Sequence, residues 1–298
     1  MKNETVNLQK QRKMNHMKKR VRDAKIGPGM VVLFNVLFVL APLYIVLITS
    51  LTSNVEANNA AFSWWPKGGL TLDAYITALT RKIGGVDLFR SFLNTVFYYM
   101  PATAVGVLTS AMAAFAYAKT DFVLKKPMFG IMMFSMTMPN TVGLMASFLL
   151  YDKIGWVNTP LPIIVPQMLG SISQVFFLKQ FFEGLPKELM EAARVDGLGM
   201  FGTFVKIFLP VSVPALLSQF ILGFIGGYND YMGPLLYLMN SKNYTLPIAL
   251  AFFAEAYTQN WPLRMAGCIL SMIPLLIFYL FGQKYILKGV AISSGLKG

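Results

Sequence analysis

Charged residues are scarce in this chain of 298 residues: they make up 13% of it, against 55% hydrophobic residues. Soluble domains usually carry about 25% charged residues, and the shortfall here comes from long uncharged runs. The chain also has a single cysteine, Cys268, and a single histidine, His16. These counts exclude a disulfide framework and any metal site built from clustered His and Cys. The composition therefore predicts a membrane protein.

Several catalytic motifs are missing as well. The sequence has no Gly-Lys dipeptide, which excludes a Walker A phosphate-binding loop. It has no H-E-x-x-H motif, and His16 lies in a terminal tail, so no convincing Ser/His dyad can be drawn. We expect the chain to hold no catalytic residue, no metal and no cofactor of its own.

Six apolar runs can cross a bilayer core of about 30 Å at a helical rise of about 1.5 Å per residue. They are Val31–Leu51, Phe92–Ala118, Met128–Leu150, Leu161–Phe177, Val211–Tyr237 and Met265–Ile286. The first run is longer than the apolar core of a cleaved signal peptide, so we interpret it as a signal anchor. The sequence predicts an all-α membrane protein: a six-helix domain over 27–286, between a basic tail (1–26) and a short tail (287–298).

The net charge of +13 indicates membrane orientation better than nucleic-acid binding. Nine of the 26 Lys and Arg residues fall in 1–26, and most of the others flank apolar runs. With both termini cytoplasmic, nineteen of the 26 lie on the inner side, as the positive-inside rule requires. The basic tail could bind anionic lipid, but we favour a solvated orientation signal.

A polar segment over 183–210 separates the fourth run from the fifth. Pro186 suits a first helical turn, and Gly197 can adopt the left-handed conformation that ends a helix over Lys187–Val195. Ala192 and Ala193 give this helix a flat side that a second protein can approach closely. Four apolar residues after it are expected to turn back toward the membrane: Phe201, Phe204, Val205 and Phe208.

This segment carries a resemblance to a known family. The pattern E-A-A, three residues, G, nine residues, I-x-L-P is met at every position, and it resembles the EAA loop of permease subunits in binding-protein-dependent ABC importers. Other stretches look like the carbohydrate branch of that family, and the smaller permease of maltose-type importers is the most similar type. These stretches are Ser91–Thr95, Met138–Asn140, Gly155–Thr159 and Tyr228–Asp230.

The resemblance implies a type I ABC importer permease fold in the bacterial plasma (inner) membrane. It implies four partners: a cytoplasmic ATPase dimer that binds ATP and Mg²⁺, a second permease, an extracytoplasmic solute-binding protein and a sugar substrate. The coupling contact to the ATPase would involve Glu191, Ala192, Ala193, Asp196, Gly197, Ile207, Leu209 and Pro210. The C-terminal residues Gly295, Lys297 and Gly298 would also reach the ATPase.

Polar residues within the runs are candidates for a translocation path or for hydrogen bonds between helices. Gln167, Ser171 and Gln174 recur at a spacing that places them on one helix face. Asp230 is the only acid within a predicted span, so it could border the substrate mouth or reach interfacial water. The candidates are Asn94, Tyr98, Asn140, Gln167, Ser171, Gln174, Tyr228, Asn229 and Asp230.

Two further alternatives stay open at this stage. Leu72, Tyr75 and Leu79 have helical spacing in the long loop after the first run, which predicts a short surface helix. That helix could contact an outer partner or merely cover the bundle. A secondary transporter or channel that works alone is the main rival function. It would need an ion site or a repeated bundle, and a single acid without internal duplication argues against it.

Overall fold

The computed structural model describes residues 28–58, 64–82 and 85–293, and helices dominate these ranges without a β-strand among them. The first part comprises α1 (Pro28–Ser50), α2 (Asn54–Ala57), α3 (Asp73–Thr80) and α4 (Leu88–Lys119). The middle comprises α5 (Lys125–Ser135), α6 (Asn140–Lys153), α7 (Leu161–Met168), α8 (Ile172–Glu183) and α9 (Glu188–Val195). The last part comprises α10 (Met200–Thr203), a π-helical turn (Phe204–Phe208), α11 (Leu209–Val211), α12 (Val213–Tyr228), α13 (Met232–Tyr237), a 3₁₀ turn (Ser241–Asn243), α14 (Leu246–Ala256) and α15 (Trp261–Ser293).

Within these residues, four helical stretches are long and apolar enough to span a bilayer, and a bent pair makes a fifth. The four are Pro28–Ser50, Leu88–Lys119, Leu161–Glu183 and Trp261–Tyr285. The bent pair joins Met200–Val211 to Val213–Tyr228 at an angle of 77°. Six spans, and cytoplasmic placement of both termini, therefore stay predictions.

The third, fourth and fifth predicted spans differ from the structure. The fourth, predicted over Leu161–Phe177, consists of α7 and α8 and continues to Glu183. The third is divided into α5 and α6, because Pro139 lacks an amide hydrogen and keeps the residue before it out of the helical region. The fifth was predicted to run through Tyr237, but α12 ends at Tyr228 and a separate short helix follows. In the sixth, the helix continues to Ser293.

Helix α4 lies at the centre of the bundle and packs against α7, α8, α12 and α14. At a rise of about 1.5 Å per residue, its 32 residues span about 48 Å. Arg90, near its first residue, donates from Nε to the Lys242 carbonyl at 3.0 Å. Lys119, its last residue, donates from Nζ to the Leu185 carbonyl just before α9, at 3.1 Å. The 3₁₀ turn and the α9 segment therefore lie at opposite ends of α4.

The short surface helix predicted in the first loop is present as α3. Its Ala78 is buried and the helix packs against α15, while Ile76 and Leu79 are exposed. It covers the bundle at the end of α4 that is remote from α9. Contact with an outer partner stays a prediction.

Candidate functional site

Helix α9 ends as the sequence predicts. Gly197 has φ +71°, which L-residues with a Cβ rarely adopt. Its amide donates to the Arg194 carbonyl at 3.1 Å, and the Leu198 amide donates to the Ala193 carbonyl at 2.9 Å. These two bonds form a Schellman motif, which satisfies carbonyls that the helix end would otherwise leave free. The motif turns the chain sharply and leaves Gly197 exposed, with no atom within 4 Å of the position a Cβ would take.

The burial of Ala192 and Ala193 on α9 differs from the prediction. Ala193 is fully buried at 0% exposure. Leu189 packs against an apolar cluster from α4, α8, α12 and the π-helical turn, which we call the inner core. Ala192 and Glu191 are exposed, and Val195 is 88% exposed. The predicted flat face of Ala192 and Ala193 together is wrong, because Ala193 faces its own bundle. The surface open to a partner combines Glu191, Ala192 and Val195 with the exposed Asp196 and Gly197.

Four apolar residues after α9 are expected to turn back toward the membrane, and two of them are buried in the bundle. Phe204 and Phe208 are buried in the π-helical turn, whereas Phe201 is 69% exposed and Val205 is also exposed. The π-helical hydrogen bonding changes the spacing of side chains, so the simple helical spacing fails here. Three remaining residues of the motif lie where the chain enters the fifth span: Ile207 and Leu209 pack against the inner core, and Pro210 precedes the 77° bend.

A cluster of four phenylalanines, which we call the inner aromatic cluster, supports this loop. It joins Phe115 of α4, Phe182 of α8, and Phe204 and Phe208 of the π-helical turn. The Phe115 ring centroid lies 5.0 Å from that of Phe208, 5.3 Å from that of Phe204 and 6.2 Å from that of Phe182. Aromatic rings at such separations pack favourably at an angle to each other. The π-helical turn of the loop therefore packs against two other helices, α4 and α8.

The polar residues at the junction of α7 and α8 bind α4. Gly170, at φ +82°, breaks the helix, so Gln167, Ser171 and Gln174 do not share one continuous face as predicted. Gln167 Nε2 donates to Thr103 Oγ1 at 3.0 Å. The other two meet Ser110: its hydroxyl donates to Gln174 Oε1 at 3.0 Å and accepts from the Ser171 amide at 3.2 Å.

These contacts satisfy polar groups that the broken helix leaves free within the apolar span. Thr109 Oγ1 donates to the Met168 carbonyl at 2.9 Å for the same reason. Gln174 is only 5% exposed. For these residues the geometry supports the interhelical interpretation over an open path. The partners on α4 were missed, although Thr103, Gly106 and Ser110 recur along α4 at a spacing that could have indicated a contact face.

Asn94 and Tyr98 also lie on α4, nearer its first residue, Leu88. Asn94 Nδ2 donates to the carbonyls of Lys242 and Tyr244 at 2.9 and 3.0 Å. Tyr98 is partly buried against a second apolar cluster, which includes Phe224 and Phe253. Asn94 therefore fastens α4 to the chain before α14. The side chain of Asn140 lies outside the described part of the structure.

Tyr228, Asn229 and Asp230 have three different environments at the end of α12. The buried Tyr228 hydroxyl donates to the Ser271 carbonyl of α15 at 2.9 Å. Asn229 is exposed, and its side-chain Nδ2 donates to the Ile225 carbonyl of its own helix at 2.8 Å. Asp230 Oδ2 accepts from the Tyr99 hydroxyl at 2.9 Å. A tyrosine of α4 is therefore the partner of the carboxylate that the sequence singled out.

The described residues contain no group of three or more His, Cys, Asp or Glu side chains that could hold a metal ion. The basic N-terminal tail and the candidates Gly295, Lys297 and Gly298 lie outside the described residues.

Residues 106–292 match the family described as the inner membrane component of binding-protein-dependent transport systems. The matched region contains α9, the inner aromatic cluster and the second part of α4, from Gly106 onward. The chain belongs to this family. It is accordingly a multi-pass protein of the inner membrane and a permease subunit of the ABC importer class.

Curated relatives agree with this assignment. The arabinooligosaccharides transport system permease protein AraQ of Halalkalibacterium halodurans is 34% identical over 77% of this chain and 80% of its own length. The trehalose/maltose transport system permease protein MalG of Thermococcus litoralis is 33% identical over 76% of this chain and 82% of its own length.

A solved structure shares the fold. A chain of a bacterial ABC transporter involved in the import of the acidic polysaccharide alginate superposes with a TM-score of 0.74 at 23% identity. The match covers 89% of this chain and 96% of the other. At this identity the likeness supports the fold alone.

Proposed function

We propose that this chain forms half of the translocation path of an ATP-driven importer for a sugar or oligosaccharide. The family supports the importer, and the names of AraQ and MalG support a saccharide substrate. An extracytoplasmic binding protein would deliver the sugar. The observation that carries the proposal is the exposed helix α9. It ends in a Schellman motif, and the π-helical turn that follows packs into the inner aromatic cluster.

Helix α9 is the proposed contact with a cytoplasmic ATPase. Glu191 and Asp196 offer two carboxylates, and Val195 offers an exposed apolar side chain between them. Gly197 lets the chain turn without a side chain that would obstruct a docking cleft. ATP and Mg²⁺ would bind in the partner, and this chain would supply no catalytic residue.

A second permease would complete the path. Only 6% of the most apolar part of α1 is buried within the chain. A groove of about 600 Å³ also lies open between α4, α12 and α15, lined by apolar side chains such as Phe92, Leu217 and Phe281. An extensive apolar surface of this kind is expected to face lipid or another membrane subunit. We expect a second permease to cover part of it.

Uptake by cells that express the whole transport system tests the proposal. Gly197→Asp is expected to abolish uptake of radiolabelled maltotriose and arabinotriose while the chain still reaches the membrane, because the added side chain strains the turn and enters the docking surface. Gly199→Asp is the matched control. Gly199 has φ −70° and precedes α10 as its N-cap, where Asp is favoured. Normal uptake by Gly197→Asp would contradict the coupling role of α9.

A further inference from the structure

Lys119 contacts the chain on both sides of α9. Its Nζ donates to the carbonyl of Leu185, in the link between α8 and α9, at 3.1 Å. The same Nζ lies 5.5 Å from the ring centroid of Phe208, in the π-helical turn that follows α9 and α10. One ammonium group at the end of α4 therefore bridges the beginning and the end of the loop that carries α9.

Both contacts are suited to a long side chain that ends in a positively charged group. A lysine ammonium near a helix C-terminus bonds free carbonyls and is favoured by the helix dipole, and Leu185 follows the last turn of α8. A cation over an aromatic ring is attracted by the electron-rich ring face. Phe208 is fully buried and belongs to the inner aromatic cluster, where its ring packs against Phe115 of the same helix α4.

The ion pair nearby does not replace these contacts. Glu183 is within electrostatic range of Lys119, but its carboxylate bonds Lys179 Nζ at 2.7 Å. Lys119 therefore interacts through a carbonyl and a ring, whose positions are set by the loop itself. Motion of the loop would change both contacts together.

Helix α4 runs without a break, through Pro101, from this point to the far end of the bundle. Arg90 and Asn94, near its other end, bond the carbonyls of Lys242 and Tyr244. Close contacts with α7, α8 and α12 hold α4 between the two ends. A displacement applied at Lys119 can therefore reach residues 240–245.

We propose that Lys119 is a positioning residue that fastens both sides of the α9 loop to α4, so that α4 moves with the loop when ATP binds the ATPase. The inference rests on the proposed function, because it takes α9 to be the ATPase contact. Lys119 acts through Leu185 and Phe208, and touches neither ATP nor sugar.

Hydrogen–deuterium exchange on the complete importer in lipid nanodiscs tests this role without any sugar. Wild type is compared with and without a non-hydrolysable ATP analogue and Mg²⁺, and exchange is followed at residues 188–195 and 240–245. In Lys119→Met, the nucleotide-induced change at 240–245 is expected to fall by about five-fold or more, a typical size for coupling between distant sites. Protection of 188–195 by the ATPase is expected to persist.

Two variants separate coupling from simple folding. Lys119→Arg keeps a cationic donor and should retain the response. Lys125→Met removes a lysine whose Nζ donates to the nearby Thr120 carbonyl and Asp121 carboxylate, and it should also leave the response unchanged. If Lys119→Met does not assemble, Lys119→Gln is judged by the same criterion, since it keeps a donor without the charge.

The possible outcomes are distinct. An unchanged nucleotide response at 240–245 in Lys119→Met, or in Lys119→Gln where that variant replaces it, would overturn the inference while leaving the proposed function intact. An equal loss of response in Lys125→Met would overturn it as well. If residues 188–195 are not protected by the ATPase in wild type, the proposed function itself fails.

Discussion

The two long apolar helices α4 and α1 differ in how much of their surface is buried within the chain. Half of the most apolar part of α4 is buried within the chain, against 6% of that part of α1. Their sequences explain the difference. The buried face of α4 is rich in small and polar residues, including Gly106, Ser110 and Ala111, whereas α1 presents bulky side chains such as Phe34 and Phe38 on its exposed surface.

The contrast shows that apolarity alone does not decide whether a membrane helix packs within its own chain. Lipid competes equally well for large apolar side chains, so close helix packing in a bilayer relies on small residues and interhelical hydrogen bonds. Helix α4 has both, and forms the core of this subunit. Helix α1 has neither to the same degree, so its surface is left for lipid or for a second subunit.

Alanine in place of Gly106 is expected to have the largest effect. Its Cβ would lie about 2 Å from the Gln167 carbonyl oxygen, and backbone cannot give way as a flexible side chain can. We expect destabilisation of about 3 kcal/mol or more, seen as loss of folded protein in fluorescence-detected size-exclusion chromatography. Gly29→Ala in α1 is the control, since no atom lies within 4 Å of its added Cβ. Equal yields of the two variants would remove the distinction between the helices.

Truncation of the α1 surface is expected to act on assembly instead of folding. The double substitution Phe34→Ala and Phe38→Ala removes two stacked, exposed rings. We expect it to weaken association with the second permease about ten-fold, because large aromatic side chains dominate interfaces. The measurement is the fraction of heterodimer in single-molecule photobleaching as subunit density in the bilayer is lowered. Phe97→Ala, which removes an exposed ring of α4, serves as the control. An equal loss of association in that variant would contradict a specific role of α1 in the contact with the second permease.

The smallest expected effect concerns the cap of α4. Asp87 Oδ1 accepts from the Arg90 amide at 3.0 Å, and this bond, aided by Lys82, holds the pKa of the carboxyl below its usual range. A lowered folded-state pKa gives stability that is present above the unfolded pKa and lost as pH falls through the folded one. Asp87→Ala should cost about 1 kcal/mol near pH 7.

Thermal unfolding in detergent across a pH series measures this effect. The difference between wild type and Asp87→Ala should shrink toward acid pH. Asp152→Ala, at an exposed position near the end of α6, is the control and should show little change at any pH. A difference for Asp87→Ala that grows in acid would contradict the capping role.

The features that could be predicted from the sequence are those with local determinants. Pro186 and Gly197 flank α9 within two residues of its ends, so the helix and its turn follow from nearby residues. The burial of Ala193 does not follow from nearby residues, because it depends on how α9 packs against the rest of the bundle.

The polar candidates show the same limit. Gln167, Ser171 and Gln174 look like one helix face until Gly170 breaks the helix, and their partners Thr103 and Ser110 lie more than sixty residues earlier. Only packing decides whether such side chains line a path or bind a neighbouring helix. The sequence therefore predicts the class of protein and the α9 loop better than it predicts the role of each buried polar residue.

The most direct test of the central claim is purification of the tagged chain in mild detergent, with mass spectrometry of every protein that accompanies it. We predict recovery of an ATPase and a second permease, with the ATPase lost when Glu191 and Gly197 are both substituted. The second permease should remain in that variant, since α9 lies apart from α1. A chain that purifies alone and still transports sugar would contradict the account and favour a transporter that works without an ATPase.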